Sequence, residues 1–393
     1  MDTQKNNKWI DVLLSHTLVA LLAAIAATLL VLGLVKEEPK VPTKLEILEQ
    51  LILNNYVGEA DQILMEDIAA YAMISTLGDQ WSYYVSAEQS AEYQEGKQNA
   101  YIGVGISISQ RQDGIGLDVA EVKKGGPADE AGILPGDVIV GVGDQRIAGM
   151  EMDDIHSLLQ GEEGTVVEIT VLREEKEHTY TLTRKQIETP AATGVMVAED
   201  VGLVRIANFY SRSSEETIAA VEELMKQGAK KIIFDVRYNR GGSASQLDAV
   251  LDYLLPEVRM YGMEDRLGNK TEVTSDAQCL QIPMVVLVNG SSYSAAELFA
   301  AALRENDAAL LVGEKTVGKG YYQYTYILPD GSVVGLSVGK YYTPNGNHLE
   351  GIGLTPDKVV PVDENMAAAI YAGTLAPEDD YQIQAAIAAL SEK

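Results

Sequence analysis

The stretch from Met284 to Gln323, MVVLVNGSSYSAAELFAAALRENDAALLVGEKTVGKGYYQ, constrains the fold more than any other part of the chain. Met284–Val288 is a short, Val-rich apolar run of the length a buried strand uses. Asn289 to Tyr293 turn the chain. From Ser294 the apolar spacing becomes helical, with Leu298, Ala301 and Ala302 on one face and Glu305 at its rim. A second apolar run, Ala308 to Val312, returns as a strand, and Gly313 to Gly320 then set Lys319 between two glycines. Strand, turn, helix and strand in that order predict a mixed α/β core, with a serine at the strand-to-helix turn.

A serine so placed presents its hydroxyl, and the next backbone N–H, from Ala295, faces outward because the first donors of a helix lack partners inside it. The hydroxyl is a weak nucleophile and needs a neighbouring base. Of the four histidines, His16 lies in an apolar N-terminal segment, and His156 and His178 fall in a separate module. His348 alone is near the core. Lys319 is the stronger candidate, provided burial or nearby positive charge brings it down from an ordinary pKa of about 10.4. Gly313 to Lys319 also matches most of a phosphate-binding loop, but Gly320 stands where that loop needs Ser or Thr for magnesium. Tyr321 to Leu328 then reads as strand, where a phosphate-binding loop needs a helix.

The run Tyr293-Ser294-Ala295-Ala296-Glu297 and the later Gly318-Lys319-Gly320 resemble the carboxyl-terminal processing peptidases, which are serine proteases with a Ser-Lys dyad and an inserted PDZ domain. The resemblance covers roughly Thr43 to the end. It implies that Ser294 is the nucleophile, Lys319 its base, and Gln323 the residue that orients the lysine. In a straight strand Lys319 and Gln323 would lie about 13 Å apart, so the chain has to bend, which Gly320 permits. Asp235-Val236-Arg237-Tyr238-Asn239-Arg240-Gly241-Gly242 resembles the family's Asp-x-Arg-x-Asn-Pro-Gly-Gly, with Arg240 in place of the proline. Paired glycines after a strand can aim an N–H at a substrate carbonyl. The resemblance therefore makes Gly241 or Gly242, with Ala295, the oxyanion hole.

Chain organisation follows from composition and pattern. With 30 Lys+Arg against 58 Asp+Glu the formal charge is −28, which argues against nucleic acid as a partner. The one cysteine, Cys279, excludes an intramolecular disulfide and a Cys-rich zinc site, and no metal or cofactor is implied. Leu18 to Val35 carries no charge, so residues 10–35 are expected to be a transmembrane signal anchor. Residues 1–9 would then be a cytoplasmic tail, with the catalytic part outside the cytoplasm, tethered to the membrane by this single pass. Residues 36–42 read as a linker and 43–97 as a helical region, where the resemblance adds a homodimer contact.

Residues 98–187 look like the PDZ domain. Ile102-Gly103-Val104-Gly105 alternates glycine with apolar residues, so consecutive N–H groups can face a peptide's terminal carboxylate. Gly125 to Ile133 and Pro135 to Ile139 carry the domain's most recognisable signature, and Asp154 to Leu159 reads as the helix beside the peptide groove. Gln160-Gly161 follows it where relatives commonly carry Arg-Gly, so an arginine latch to the active site is expected to be weaker, unless Arg146 or Arg173 supplies the charge. Residues 188–363 form the peptidase core, with a hairpin about Pro329 to Ser332, and 364–393 an acidic, Ala-rich helical region.

Together these features predict a serine endopeptidase that holds the tail of a protein substrate, with a free C-terminus, in the PDZ domain and cuts it in the core. Two rivals stand beside it: an inactive PDZ scaffold, and a protease with His348 as base.

Overall fold

The computed structural model describes residues 41–391 apart from residue 112, in two compact units that divide after Ala70. The first holds helix α1 (Lys44–Asn55), opened by reciprocal hydrogen bonds between Thr43 and Glu46, and the start of α2 (Gln62–Ser75). The helical period is as predicted, but neither helix buries a residue: Leu48, Leu51, Ile63 and Ile68 remain exposed.

The second unit begins with β1 (Tyr83–Val85), α3 (Ala87–Lys97) and β2 (Ala100–Gly103). A five-strand path with one flanking strand follows, formed by β3 (Ile106–Gln110), β4 (Leu117–Val122), a short α4 (Pro127–Ala131), β5 (Val138–Val142), β6 (Gln145–Arg146), α5 (Met152–Leu159), β7 (Val166–Arg173) and β8 (Lys176–Thr183). Val119, Ile139, Ile169, Leu182 and the α5 residue Ile155 fill its core. The module leaves through β9 (Lys185–Glu188), which pairs antiparallel with β2, so one two-stranded ribbon carries the chain in and out. Neither Arg146 nor Arg173 serves the groove helix: Arg146 pairs with Glu177, and Arg173 with the buried Asp137. The arginine at the end of that helix is the buried Arg184, its guanidinium donating to the carbonyls of Leu158 and Leu159.

The remainder is an α/β layer structure. Strands β10 (Ala192–Ala198), β11 (Val201–Ile206), β12 (Lys231–Asp235), β15 (Met284–Val288), β16 (Ala309–Gly313) and β19 (Lys358–Val359) form one sheet in the order β10-β11-β12-β15-β16-β19. All pairs but β10–β11 are parallel, and sheets of that kind are buried on both faces. Val286 and Val288 point to one side, against α6 (Ser213–Lys226), α7 (Ala244–Leu254) and α8 (Ala295–Glu305). Val285 and Leu287 point to the other, against α10 (Tyr381–Ser391), which follows α9 (Glu364–Ala372). A second sheet joins β1, β13 (Arg259–Asp265), β14 (Lys270–Thr274), β17 (Tyr321–Ile327) and β18 (Val333–Tyr342). The turn at 329–332 joins β17 and β18, which pair antiparallel as the expected hairpin.

One part of the fold expectation is corrected. A transmembrane helix was placed at 10–35, but among the described residues no helix is long and apolar enough to cross a membrane, and 10–35 lies outside them. An apolar run specifies only the length needed to span, and here no described helix supplies it.

Candidate active site

Ser294 opens α8 with φ 61° and ψ −122°, a conformation that non-glycine residues adopt only where the surroundings impose it. The preceding turn is pinned on both sides. Asn289 Oδ1 accepts the N–H groups of Tyr238 and Ser291 at 3.0 and 3.1 Å, and the buried Ser292 hydroxyl donates to the Val236 carbonyl at 2.8 Å. Tyr293 N–H donates to the Asn239 carbonyl at 3.1 Å. The turn after β15 thus sits on the turn after β12, and the first glycine of the latter, Gly241, meets the serine.

Gly241 packs so closely that a Cβ there would lie 2.7 Å from Ser294 Cβ. Its own N–H is occupied, donating to Asn239 Oδ1 at 2.8 Å. Gly242, at φ 155°, forms a bridge with Phe209 in which its N–H takes no part. Among the described residues, neither the Gly242 nor the Ala295 N–H donates to a protein acceptor, and both residues line the cavity that holds Ser294.

Lys319 reaches the same cavity from the loop between β16 and β17. Glu297, fully buried in the first turn of α8, ties this loop to the serine turn. Its Oε2 accepts the N–H groups of Ser294 and Lys319 at 3.1 and 2.9 Å. Its Oε1 accepts the Thr316 hydroxyl at 2.5 Å and the Gly318 N–H at 2.8 Å. Burial pushes this carboxyl up from the ordinary range, and the four donors pull it back. Tyr341 further braces the loop through its hydroxyl, which donates to the Lys319 carbonyl.

Over the lysine lie two rings: Nζ is 5.0 Å from the Trp81 centroid and 5.8 Å from that of Tyr293. The Trp81 indole N–H donates to both Glu350 oxygens at 3.0 and 3.1 Å, and Glu350 Oε2 also accepts the Gly320 N–H at 2.7 Å. Burial takes the Lys319 ammonium down to about 8, against the opposing pull of Asp79, Glu350 and Glu297. A lysine in that state can accept a proton near neutral pH.

The shared cavity measures about 810 Å³ and also admits Gln323. Gln323 does not bond Lys319. Its amide donates to the Tyr321 carbonyl at 3.1 Å and to Ser337 Oγ at 3.0 Å, and the bend in β17 is a register shift between Tyr322 and Gln323 rather than a kink at Gly320. His348 is outside the cavity, its Nε2 3.2 Å from the Gly320 carbonyl and its ring against Tyr321 and Tyr342. Strand β17 follows the lysine loop directly, so no helix is there for a phosphate-binding loop. Among the described residues no cluster of His, Cys, Asp or Glu is placed to hold a metal ion.

In the other module, the Ile102 N–H donates to Glu95 Oε2 at 3.0 Å, and Gly103 belongs to the β2–β9 ladder. The N–H groups of Val104 and Gly105, the latter at φ 77°, donate to no described protein acceptor. Sequence reasoning missed two residues of the site. Glu297 was legible as a capping partner three residues after a serine. Trp81 had no signal, since only the tertiary fold brings its loop over Lys319.

Comparison with known proteins agrees with this geometry. The model of peptidase family S41 matches residues 200–360, and a PDZ domain model matches 119–173. A probable CtpA-like serine protease of Staphylococcus aureus (strain N315) is 29% identical over 364 residues, spanning 91% of this chain and 73% of its own. That of Staphylococcus epidermidis (strain ATCC 12228) is 28% identical over 369 residues, 90% and 74% of the two chains. Among solved structures, the photosystem II D1 C-terminal processing protease is 30% identical, with 80% of this chain and 86% of that one covered and a TM-score of 0.47. A putative S41 protease from Bacteroides fragilis, 15% identical with a TM-score of 0.53 and 87% and 100% covered, shares the fold. The chain belongs to peptidase family S41, as a PDZ-bearing serine protease of the C-terminal processing kind.

Proposed function

We propose that Ser294 and Lys319 are the nucleophile and base of an endopeptidase that cuts protein chains near a C-terminus held by the PDZ domain. One observation carries this: a serine in a strained helix-opening conformation shares a cavity with a lysine whose ammonium burial takes down to about 8. Ser294 Oγ adds to the peptide carbonyl while its proton passes to Lys319 Nζ. The oxyanion takes hydrogen bonds from the Gly242 and Ala295 N–H groups, Gly241 being spoken for by Asn239. The proton then passes from Nζ to the leaving amine, and water resolves the acyl-enzyme. Gln323 positions the base indirectly, by holding the backbone of β17 beside it. In the PDZ module, Val104 and Gly105 offer the free N–H groups for the substrate's terminal carboxylate.

His348 as base is disfavoured by its position outside the cavity. Hydrolysis of an unstructured peptide by Ser294→Ala, Lys319→Ala and His348→Ala tests the assignment. The first two should lose cleavage and the third should retain most of it. Turnover by a cooperatively folded Lys319→Ala would refute the dyad, and inactivity of the wild type on every peptide would favour the scaffold.

A further inference from the structure

The catalytic cleft has the opposite charge to the molecule around it. The chain carries −28, yet no carboxylate lines the cavity that holds Ser294, while Lys97, Arg240 and Lys319 all do. Of the acidic neighbours of the base, Asp79 and Glu350 line a different cavity, and Glu297 is fully buried beneath the serine turn with four hydrogen-bond donors on it. Lys319 is committed to the base role, which leaves Lys97 and Arg240 as the fixed positive charges facing substrate.

Arg240 is exposed, and among the described residues no carboxylate pairs with it. It immediately precedes Gly241, the residue in contact with Ser294, and its charge is felt by the neighbouring Tyr293 hydroxyl, which it pulls down against the upward push of burial. Lys97 lies at α3, its ammonium 4.2 Å from the Tyr93 centroid, also without a carboxylate partner. In a protein with about two acidic residues for every basic one, two unpaired cations at one cleft are an unneutralised positive field, and low-dielectric walls focus such a field on whatever enters. The other polar groups there, hydroxyls of Tyr, Ser and Thr and the amides of Gln, can donate to an anion and carry no charge of their own.

We infer that this cleft selects peptides that place a carboxylate within a few residues of the scissile bond, with Arg240 as the specificity-determining residue. This rests on the assignment of the cleft as the peptidase site. Arg240 recognises the carboxylate through its planar fork of donors, and Lys97 adds a more distant, point-like attraction. The carboxylate is either an Asp or Glu side chain or the substrate's own terminus when the cut falls close to it.

The test uses the full chain and peptides with one fixed scissile bond, with Glu or Gln in turn at each of the three positions on either side, and each with a free or an amidated C-terminus. At low ionic strength the favoured Glu peptide should show a kcat/KM about fivefold above its Gln partner, the upper end for an exposed ion pair. The preference should fall as salt is added. In Arg240→Gln the ratio should approach one, and Arg240→Lys, which keeps the charge but not the fork, should restore only part of it. If the carboxylate is the terminal one, amidation rather than the Glu-to-Gln change moves the rate, and Arg240→Gln again erases the difference. Equal rates for charged and neutral peptides at every position and both termini would overturn the inference, as would an unchanged ratio in Arg240→Gln. Cleavage that survives Ser294→Ala would instead sink the assignment of the cleft, whereas charge-blind cleavage that requires Ser294 sinks only the specificity.

Discussion

Replacing Trp81 by alanine separates what this ring does to Lys319 from what it does to the fold. Burial takes the lysine from an ordinary 10.5 down to about 8, which corresponds to about 3 kcal/mol against the ammonium. A cation 5.0 Å from an indole in a desolvated site is favoured by about 2 kcal/mol, still less than the cost of burial, so exclusion of water outweighs the ring's attraction for the charge. Opening the site to water in Trp81→Ala should recover about 1.4 kcal/mol for the ammonium, moving the kinetic pKa up by about one unit. With Lys319 as the proposed neutral base, activity should rise with pH through that pKa. At pH 7 kcat/KM should therefore fall about tenfold, with the deficit closing above about pH 10. Trp81→Phe, which keeps the apolar wall and loses the indole bonds to Glu350, should leave the acid limb near 8. The assay is a pH profile of fluorogenic-peptide hydrolysis on proteins whose thermal unfolding is cooperative. A loss in Trp81→Ala that is equal at every pH, or an acid limb that moves down, would refute the desolvation argument.

Other sites give sharp expectations. In Gly242→Ala the new Cβ would stand 2.3 Å from the Phe209 carbonyl carbon, so the oxyanion donor must move and hydrolysis should drop about 100-fold or more, and wild-type turnover would refute its role. Arg237 is buried and pairs with Asp235 at 2.7 Å and Asp380 at 2.8 Å. Arg237→Met should thus cost about 3–5 kcal/mol in urea unfolding by leaving two buried carboxylates unpaired, while residual activity keeps its acid limb. Amidating a peptide's C-terminus should weaken its binding to the PDZ module by about 1–3 kcal/mol in calorimetry, because the Val104 and Gly105 N–H groups lose a charged acceptor; equal affinities would exclude that loop.

What could be read from the chain divides along physical lines. The α/β core was legible around Ser294 because a buried parallel strand and an amphipathic helix each carry a local period, and Val285–Val288 alternate between two core faces as that period requires. Ser294 and Lys319 stand out as candidates for the same reason: both sit at element boundaries marked by glycine and small residues. Which glycine is free was not legible, since it depends on Asn239 folding back onto Gly241. That Gln323 bonds the Tyr321 carbonyl and Ser337 was not legible, because the bulge within β17 beside it leaves no mark in the spacing. Trp81 and Glu350 meet across 269 residues, and no local pattern encodes that pairing. The exposed apolar residues of α1 and α2 show the converse, a correct helical period without the burial it usually announces.

Acylation of Ser294 as a function of pH tests most directly whether a neutral Lys319 activates it. The measurement is the rate at which a serine-directed acylating probe modifies the intact protein, with the modified residue located by peptide mass spectrometry. A single adduct at Ser294 is expected, its rate rising with pH on an apparent pKa near 8 and abolished in Lys319→Ala. Labelling at another residue, a rate independent of pH, or undiminished labelling of Lys319→Ala would contradict the dyad.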